Sequence, residues 1–242
     1  MEEIIRERDK RGNLIYLKWV DGVEKWWKYN RKNKEINHKT SNGFESWTKY
    51  DEAGRQIYYR DSKKLKIWDE YDEKGNTVHH KESTGFESWR EYEVNGHQIH
   101  YLDSKGYETF TKYDEKGNML HHKKSDGFEV WLKYDVNGNI IHSKNTDGLE
   151  YTLEYNNNNK NIHYFDSKGF EEWRDFDERR NLVHYKDSLG SEYWSEFDDK
   201  NNSIHSKNID GFETWTTYDS NNETISLKDS DGNEFYPDVE GF

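Results

Sequence analysis

Histidine returns every 21 residues through the middle of this chain, at His79, His100, His121, His142, His163, His184 and His205. Imidazole can ligate a metal, move a proton or change charge near neutral pH. A shared metal is disfavoured by distance: in a meander of strand pairs, equivalent residues lie two strands, roughly 9–10 Å, apart. Two imidazoles on one zinc each need a bond of about 2.0–2.1 Å. Adjacent pairs such as His79-His80 and His121-His122 would point to opposite faces. Packing against aromatic rings is the leading reading of the row, a pH response comes second and a metal last. Asn37, Tyr58 and Ser226 interrupt the row near its ends.

Tryptophan follows the same period, at Trp26, Trp47, Trp68, Trp89, Trp131, Trp173, Trp194 and Trp215, with Phe110 and Tyr236 substituting. Such a row could stack glycans, offer a hydrophobic stripe to a protein, or simply cover the sheet. The equivalents of Lys123 and Glu129 read as a solvated charge ladder. Catalysis finds no foothold, because every carboxylate is repeated and no acid–base pair stands apart. There is no Ser-His-Asp context, phosphate loop or metal spacing, so the expectation is a protein that is not an enzyme and uses no cofactor.

The elements that must position these rows follow from a third series. Tyr29, Tyr50, Tyr71, Tyr92, Tyr113, Tyr134, Tyr155, Phe176, Phe197 and Tyr218 recur at 21 residues without insertion or deletion. A fixed period near 20 residues means stacked copies of one unit, each touching its neighbours. Two punctuation marks recur within it. One is Asp-x-x-Gly, as in Asp114 to Gly117 and Asp135 to Gly138; the other is Ser-x-Gly, as in Ser104 to Gly106 and Ser125 to Gly127. Gly supplies the left-handed residue that closes each turn, and Asn replaces it at Asn159 and Asn222. Short aromatic and branched segments between the loops are strand grammar.

The fold expected is therefore all-β: about eleven 21-residue hairpins in an elongated, twisted or superhelical antiparallel sheet. Residues 1–242 form one continuous array, with a degenerate cap at 1–21, where Arg8 replaces Tyr, and a second at 227–242, which carries Pro237 and ends at Phe242. A four-residue loop and a three-residue loop between two seven-residue strands would account for the odd period, since opposed residues must share a face. In that register one face gathers Phe44, Phe86, Phe128, Phe170 and Phe212 with an aliphatic row, Ile57, Val78, Ile99, Leu120, Ile141, Ile162, Val183, Ile204 and Ile225. This is the expected core. The other face carries Trp, His, Lys and Glu, each Trp opposite a His on both neighbouring strands and each Glu opposite a Lys.

Composition bounds the partners. Only 31 % of residues are hydrophobic and half of these are aromatic, which excludes a thick aliphatic core. The net charge of -13 argues against nucleic acid or an anionic membrane and suits a basic protein. With no cysteine there is no disulfide framework or thiolate site. The opening MEEIIRERDK has no apolar stretch, so cytoplasmic residence is the default, although a mature piece of a secreted protein would look the same.

The block Tyr50-Asp51-Glu52-Ala53-Gly54-Arg55 resembles the YD repeat of RHS-type proteins, Tyr-Asp-x-x-Gly-Arg before an aliphatic residue. Tyr71 to Asn76, Tyr113 to Asn118 and Tyr134 to Asn139 keep the pattern with Asn for Arg. The resemblance implies strands that spiral into a shell around a toxin. A second resemblance is to MORN-variant repeats of antitoxin-like proteins, through Trp131-Leu132-Lys133-Tyr134 to Gly138 and Trp47 to Gly54. The function expected is a non-catalytic binding protein, an immunity or accessory protein of a bacterial toxin system that masks a basic partner. A glycan-binding module using the Trp row and a purely structural scaffold are the rivals.

Overall fold

The computed structural model describes residues 3–236, an all-β chain of antiparallel hairpins. It divides into two units, Met1–Gly127 and Phe128–Phe242. Among the described residues, the first unit holds β1 (Glu3–Arg8), β2 (Leu14–Trp19), β3 (Glu24–Tyr29), β4 (Glu35–Thr40), β5 (Glu45–Tyr50), β6 (Gln56–Asp61), β7 (Lys66–Tyr71), β8 (Thr77–Glu82), β9 (Glu87–Tyr92), β10 (Gln98–Asp103), β11 (Glu108–Tyr113) and β12 (Met119–Lys124). The second holds β13 (Glu129–Tyr134), β14 (Ile140–Asn145), β15 (Glu150–Tyr155), β16 (Asn161–Asp166), β17 (Glu171–Phe176), β18 (Leu182–Asp187), β19 (Glu192–Phe197), β20 (Ser203–Asn208), β21 (Glu213–Tyr218), β22 (Thr224–Asp229) and β23 (Glu234–Phe235). Within each unit a strand touches only those beside it in the chain, which is what a stack of hairpins requires.

The odd period has a different cause from the one expected. Strands other than β23 are six residues long rather than seven. Both loops are built alike. At Asp114 the amide donates to Asn118 O at 2.9 Å while Gly117 N donates to Asp114 O; at Asn145 the amide donates to Leu149 O and Gly148 N to Asn145 O. Each is a type I turn closed by a left-handed residue. The parity is restored by a β-bulge. Tyr155 pairs with Asn161 but Glu154 pairs with His163, leaving Ile162 as the extra residue. The same shift leaves out Ile57, Val78, Ile99, Leu120, Ile141, Val183, Ile204 and Ile225. The aliphatic row is thus the bulge row. It is not a sealed core either, since Ile57, Leu120 and Ile225 are exposed.

Left-handed backbone is needed at the end of every loop. Gly117 sits at φ +87, and a Cβ there would also meet the His97 ring at 2.6 Å. Besides Asn159 and Asn222, the position is filled by Asn33, Lys64, Arg180 and Asn201. The Asp that opens the loop holds it closed: Asp114 Oδ1 accepts from the amides of Lys116 and Asn118, and its Oδ2 accepts from Asn118 Nδ2 at 2.9 Å. These bonds, the Asn side chain first, hold the Asp114 carboxyl below the usual carboxylate range, as they do Asp72, Asp135, Asp177, Asp198 and Asp229.

Two further devices tie one hairpin to the next. Ladders across the Ser-x-Gly side are short; β6 and β7 share the pairs Tyr58–Trp68, Tyr59–Ile67 and Arg60–Lys66. The open end is bridged by the period-defining tyrosine, whose hydroxyl donates to a carbonyl 15 residues back: Tyr50 to Glu35, Tyr71 to Gln56, Tyr92 to Thr77 and Tyr218 to Ser203. The loop serine works on the other side. Ser104 Oγ accepts from Glu87 N at 3.0 Å and donates to Gly85 O at 3.2 Å, so its hydroxyl links successive loops.

The face opposite tryptophan is closed by small polar residues under rings. Ser88 is fully buried and Ser46, Thr109 and Ser143 nearly so, whereas Leu17 is the buried hydrophobic residue among those described. Rings lean over this row, as in Tyr101–Tyr107 and Tyr164–Phe170, each at 6.0 Å. At the N-terminal cap Arg8 Nη1 donates to Gly12 O, and β1 pairs with β2 through two register shifts. Pro237 and Phe242, which belong to the expected C-terminal cap, lie outside the described residues.

Candidate functional site on the tryptophan face

The two faces are as expected, with one correction: the tryptophan row meets the histidine row on one side and the lysine row on the other. Trp173 lies opposite His163 across the Ser-x-Gly side and opposite Lys186 across the Asp-x-x-Gly side. Trp194 lies between His184 and Lys207, and Trp215 between His205 and Lys228. The bulge causes this, because the longer ladder starts one residue out of step with the shorter one. The Glu–Lys pairing is as expected, for instance Lys207 with Glu213.

Stacking follows from the pairing. His79–Trp89, His163–Trp173, His184–Trp194 and His205–Trp215 are stacked with centroids 5.2–5.5 Å apart and planes within 13°, and His100 stacks on Phe110 at 4.5 Å. His142 instead faces Thr152, an interruption of the Trp row. Trp47 faces Asn37 and Trp68 faces Tyr58. His121 lies opposite Lys112 on β12 in the first unit, and Trp131 lies opposite Lys144 on β13 in the second.

Five of these histidines are also held between two carboxylates. His163 Nε2 lies 2.8 Å from Glu171 and its Nδ1 3.7 Å from Glu154; His205 Nε2 lies 2.9 Å from Glu213 and its Nδ1 3.6 Å from Glu196. His79 and His100 have the same arrangement with Glu87 and Glu70, and with Glu108 and Glu91. His142 Nε2 contacts Glu150 at 3.0 Å. Burial opposes charge on His184, but Asp175 at 3.0 Å and Glu192 at 2.9 Å outweigh it and raise its pKa. Glu87 and Glu213 are held low by the histidine first and a lysine second. His38 and His122, on the opposite face, are pushed down by burial. Among the described residues no group of three or more His, Asp or Glu side chains could hold a metal ion.

What remains available to a partner is therefore aromatic and acidic. Trp68, Trp89, Trp131, Trp173, Trp194 and Trp215 are 37–39 % exposed. The outer carboxylates Glu70, Glu91, Glu154, Asp175 and Glu196 are 68–72 % exposed. The Trp row was visible in the sequence. The outer carboxylates lay within the charge ladder, and their alternation with lysine at the equivalent position (Lys49, Lys112 and Lys133) was the signal that could have separated them.

No known protein family matches the sequence, and no curated protein is similar to it. Among solved structures, the chain is similar to part of the crystal structure of TcdB2-TccC3-TEV, at 17 % identity and a TM-score of 0.53 over 92 % of this chain. It is likewise similar to part of the crystal structure of TcdB2-TccC3, at 16 % identity and a TM-score of 0.52. In each case this chain spans only 14 % of the other's length. The likeness supports the YD/RHS-type resemblance, and nothing in it supports the MORN-variant one. What these comparisons show is the fold: a β-hairpin repeat array of the kind built into TcdB2-TccC3.

Proposed function

We propose that this chain is a non-catalytic scaffold that binds a basic protein along its tryptophan face, as an immunity or accessory protein of a toxin system would. The observation that carries the reading is the alternation of exposed Trp rings with exposed carboxylates over β7–β10 and β15–β21. Trp and Tyr anchors supply apolar contact and cation–π attraction to Lys or Arg, while carboxylates steer and register a basic surface. The histidines hold the inner carboxylates in place and are themselves covered by Trp, which leaves the outer carboxylates to the partner. The toxin association rests on the fold likeness to TcdB2-TccC3, and the cytoplasm is where a masking role places the protein.

The test is binding of a panel of small basic proteins to the wild type and to a Glu154→Lys, Asp175→Lys, Glu196→Lys variant, measured as salt is raised. Binding that weakens steeply with salt and is lost in the variant is expected, because exposed charges are screened beyond roughly 8 Å at physiological ionic strength. Salt-insensitive binding of a neutral polysaccharide, unchanged in the variant, would instead favour a glycan module, which the exposed Trp rings also suit.

A further inference from the structure

One stretch of the tryptophan face inverts the pattern. In five repeats the histidine is flanked by two carboxylates, such as Glu70 and Glu87 about His79, or Glu154 and Glu171 about His163, and at His142 a lysine, Lys133, takes the outer place while Glu150 keeps the inner one. On β5–β7 the histidine position is Tyr58, and both flanking positions are lysines: Lys49 opposite Tyr58 on one side, and Lys66 in place of the glutamate on the other. The lysine that normally pairs with that glutamate is Arg60, so Arg60 and Lys66 stand directly opposite each other. Like charges in direct opposition destabilise a strand pair. Among the described residues neither Lys49, Arg60 nor Lys66 forms an ion pair with a carboxylate, and all three are exposed. A local rule broken without compensation inside the fold points to something outside it.

Lys49 and Arg60 line a cleft of about 1090 Å3, together with Trp47, Tyr58, Trp68, Asn30 and Ile36, and no carboxylate is among its lining residues; Lys66 stands beside it, opposite Arg60. The Arg60 guanidinium lies 4.3 Å from the Trp47 ring and Lys49 Nζ 5.6 Å from the Tyr58 ring. Tyr58 and Trp68 meet at 51°, unlike the near-parallel His–Trp pairs, so they form an open wedge rather than a closed stack. Two cations above aromatic floors, with a third beside them, suit an anion that also carries an apolar ring face.

We infer that the cleft of Trp47, Lys49, Tyr58, Arg60 and Trp68, with Lys66 beside it opposite Arg60, is a binding site for a short acidic saccharide, a pyranose bearing carboxylate. The wedge and single exposed Trp68 face match the apolar side of a sugar ring; a nucleobase sandwich would need two parallel rings. Length is limited by what flanks the site. Glu45 on one side and Glu70 and Glu87 on the other repel a longer polyanion, leaving about two strand spacings, roughly 10 Å, for the ligand. This site is separate from the acidic stretches assigned to a basic protein, and either can hold without the other.

The test is titration of the whole protein with trigalacturonic acid, with its neutral counterpart galactotriose, and with ATP, followed by Trp fluorescence and calorimetry. The acidic trisaccharide is expected to bind at least about tenfold more tightly than the neutral one and to weaken with salt. Trp68→Ala and the pair Lys49→Glu, Lys66→Glu should each weaken it about tenfold or more, while Trp194→Ala leaves it unchanged. The Lys-to-Glu pair restores the pattern of the next repeat, where Glu70 and Glu87 hold these places, so its circular dichroism should match the wild type even if Trp68→Ala disturbs the sheet. Absence of binding, equal affinity for the neutral sugar, an equal loss in Trp194→Ala, or tighter binding of ATP would each overturn the assignment.

Discussion

Replacing Tyr71 by phenylalanine removes one oxygen and tests whether the 21-residue tyrosine is a brace or merely a ring. The β6–β7 ladder stops at Tyr58–Trp68, short of Gln56, and the Tyr71 hydroxyl donates to the Gln56 carbonyl at 2.8 Å. A typical intramolecular hydrogen bond contributes about 0.5–1.5 kcal/mol net. Because both residues are only part-buried, water can reach the freed carbonyl, and the loss should lie near the middle of that range. About 1 kcal/mol corresponds to a fall in Tm of about 2–4 °C for a chain of this size. The reverse experiment is written into the sequence. Phe197 stands in the same row, and 15 residues before it is Leu182, the first residue of β18, just as Gln56 is the first of β6. Phe197→Tyr should recover a similar amount by donating to Leu182 O. Urea and thermal unfolding followed by circular dichroism would measure both, since neither change touches a tryptophan. A neutral Tyr71→Phe together with a neutral or destabilising Phe197→Tyr would refute the brace and leave the row a matter of ring packing alone.

Deleting the bulged Ile162 leaves the Tyr155–Asn161 and Glu154–His163 pairs in register, so strand signal should persist with a lowered Tm, whereas deleting Arg174 from the bulge-free β17 should abolish cooperative unfolding. Thr152→Trp should place a ring against His142, as in the neighbouring pairs, and add about 0.5–1.5 kcal/mol, read as a rise in urea midpoint. The loop aspartates, held below their unfolded value, stabilise the fold above about pH 4, and that stability is lost as pH falls through their folded values. An Asp114→Asn, Asp135→Asn variant should show a shallower acid limb. Milder acid behaves differently. Charging all the histidines would move the formal charge from -13 to -13 + 11 = -2, so solubility should fall with it, as light scattering followed from about pH 7.5 to 5.5 would show. His184, whose pKa is raised, contributes stability that is full below its unfolded value and lost as pH rises; His38 and His122, whose pKa values are lowered, cost stability as pH falls. Circular dichroism should therefore hold over that window, and loss of strand signal before scattering rises would contradict the balance.

The period, the hairpins and the two faces were legible because side chains alternate across a strand and the Trp, His, Lys and Glu rows keep phase from copy to copy. What misled was the parity. An odd repeat admits two solutions, unequal loops or equal loops with one bulged residue, and the Asp-x-x-Gly and Ser-x-Gly signatures look unequal in sequence. In three dimensions Gly117 and Gly106 each close a turn of the same kind, and the extra residue hides as Leu120 in what reads as an ordinary apolar row. A bulge has no residue signature of its own here, because an isoleucine reads as strand whether or not it is paired. The partners of tryptophan were misassigned for the same reason, since one unpaired residue shifts every pair beyond it on that side.

The candidate site was legible as rows and illegible as exceptions. A row that repeats unchanged satisfies the neighbouring repeats, and the His–Glu–Trp–Lys pattern does this fully: the imidazole covers the ring, the glutamate takes both the imidazole and the lysine, and little of it needs an outside partner. Function is then to be sought where a copy fails to satisfy its neighbours. The outer carboxylates Glu154, Asp175 and Glu196 are one such surplus, of negative charge, in the second unit. Lys49, Arg60 and Lys66 are the other, of positive charge, in the first. Opposite surpluses of this kind would not arise from folding alone, because either could be cancelled by the residue that its neighbouring repeats already use. A Lys49→Glu, Lys66→Glu variant should accordingly be more stable than the wild type, by about a few tenths of a kcal/mol for the one opposed pair relieved, Arg60 with Lys66. A loss of stability in that variant would mean that the cations serve the sheet itself, and would remove the physical ground for assigning them to a ligand.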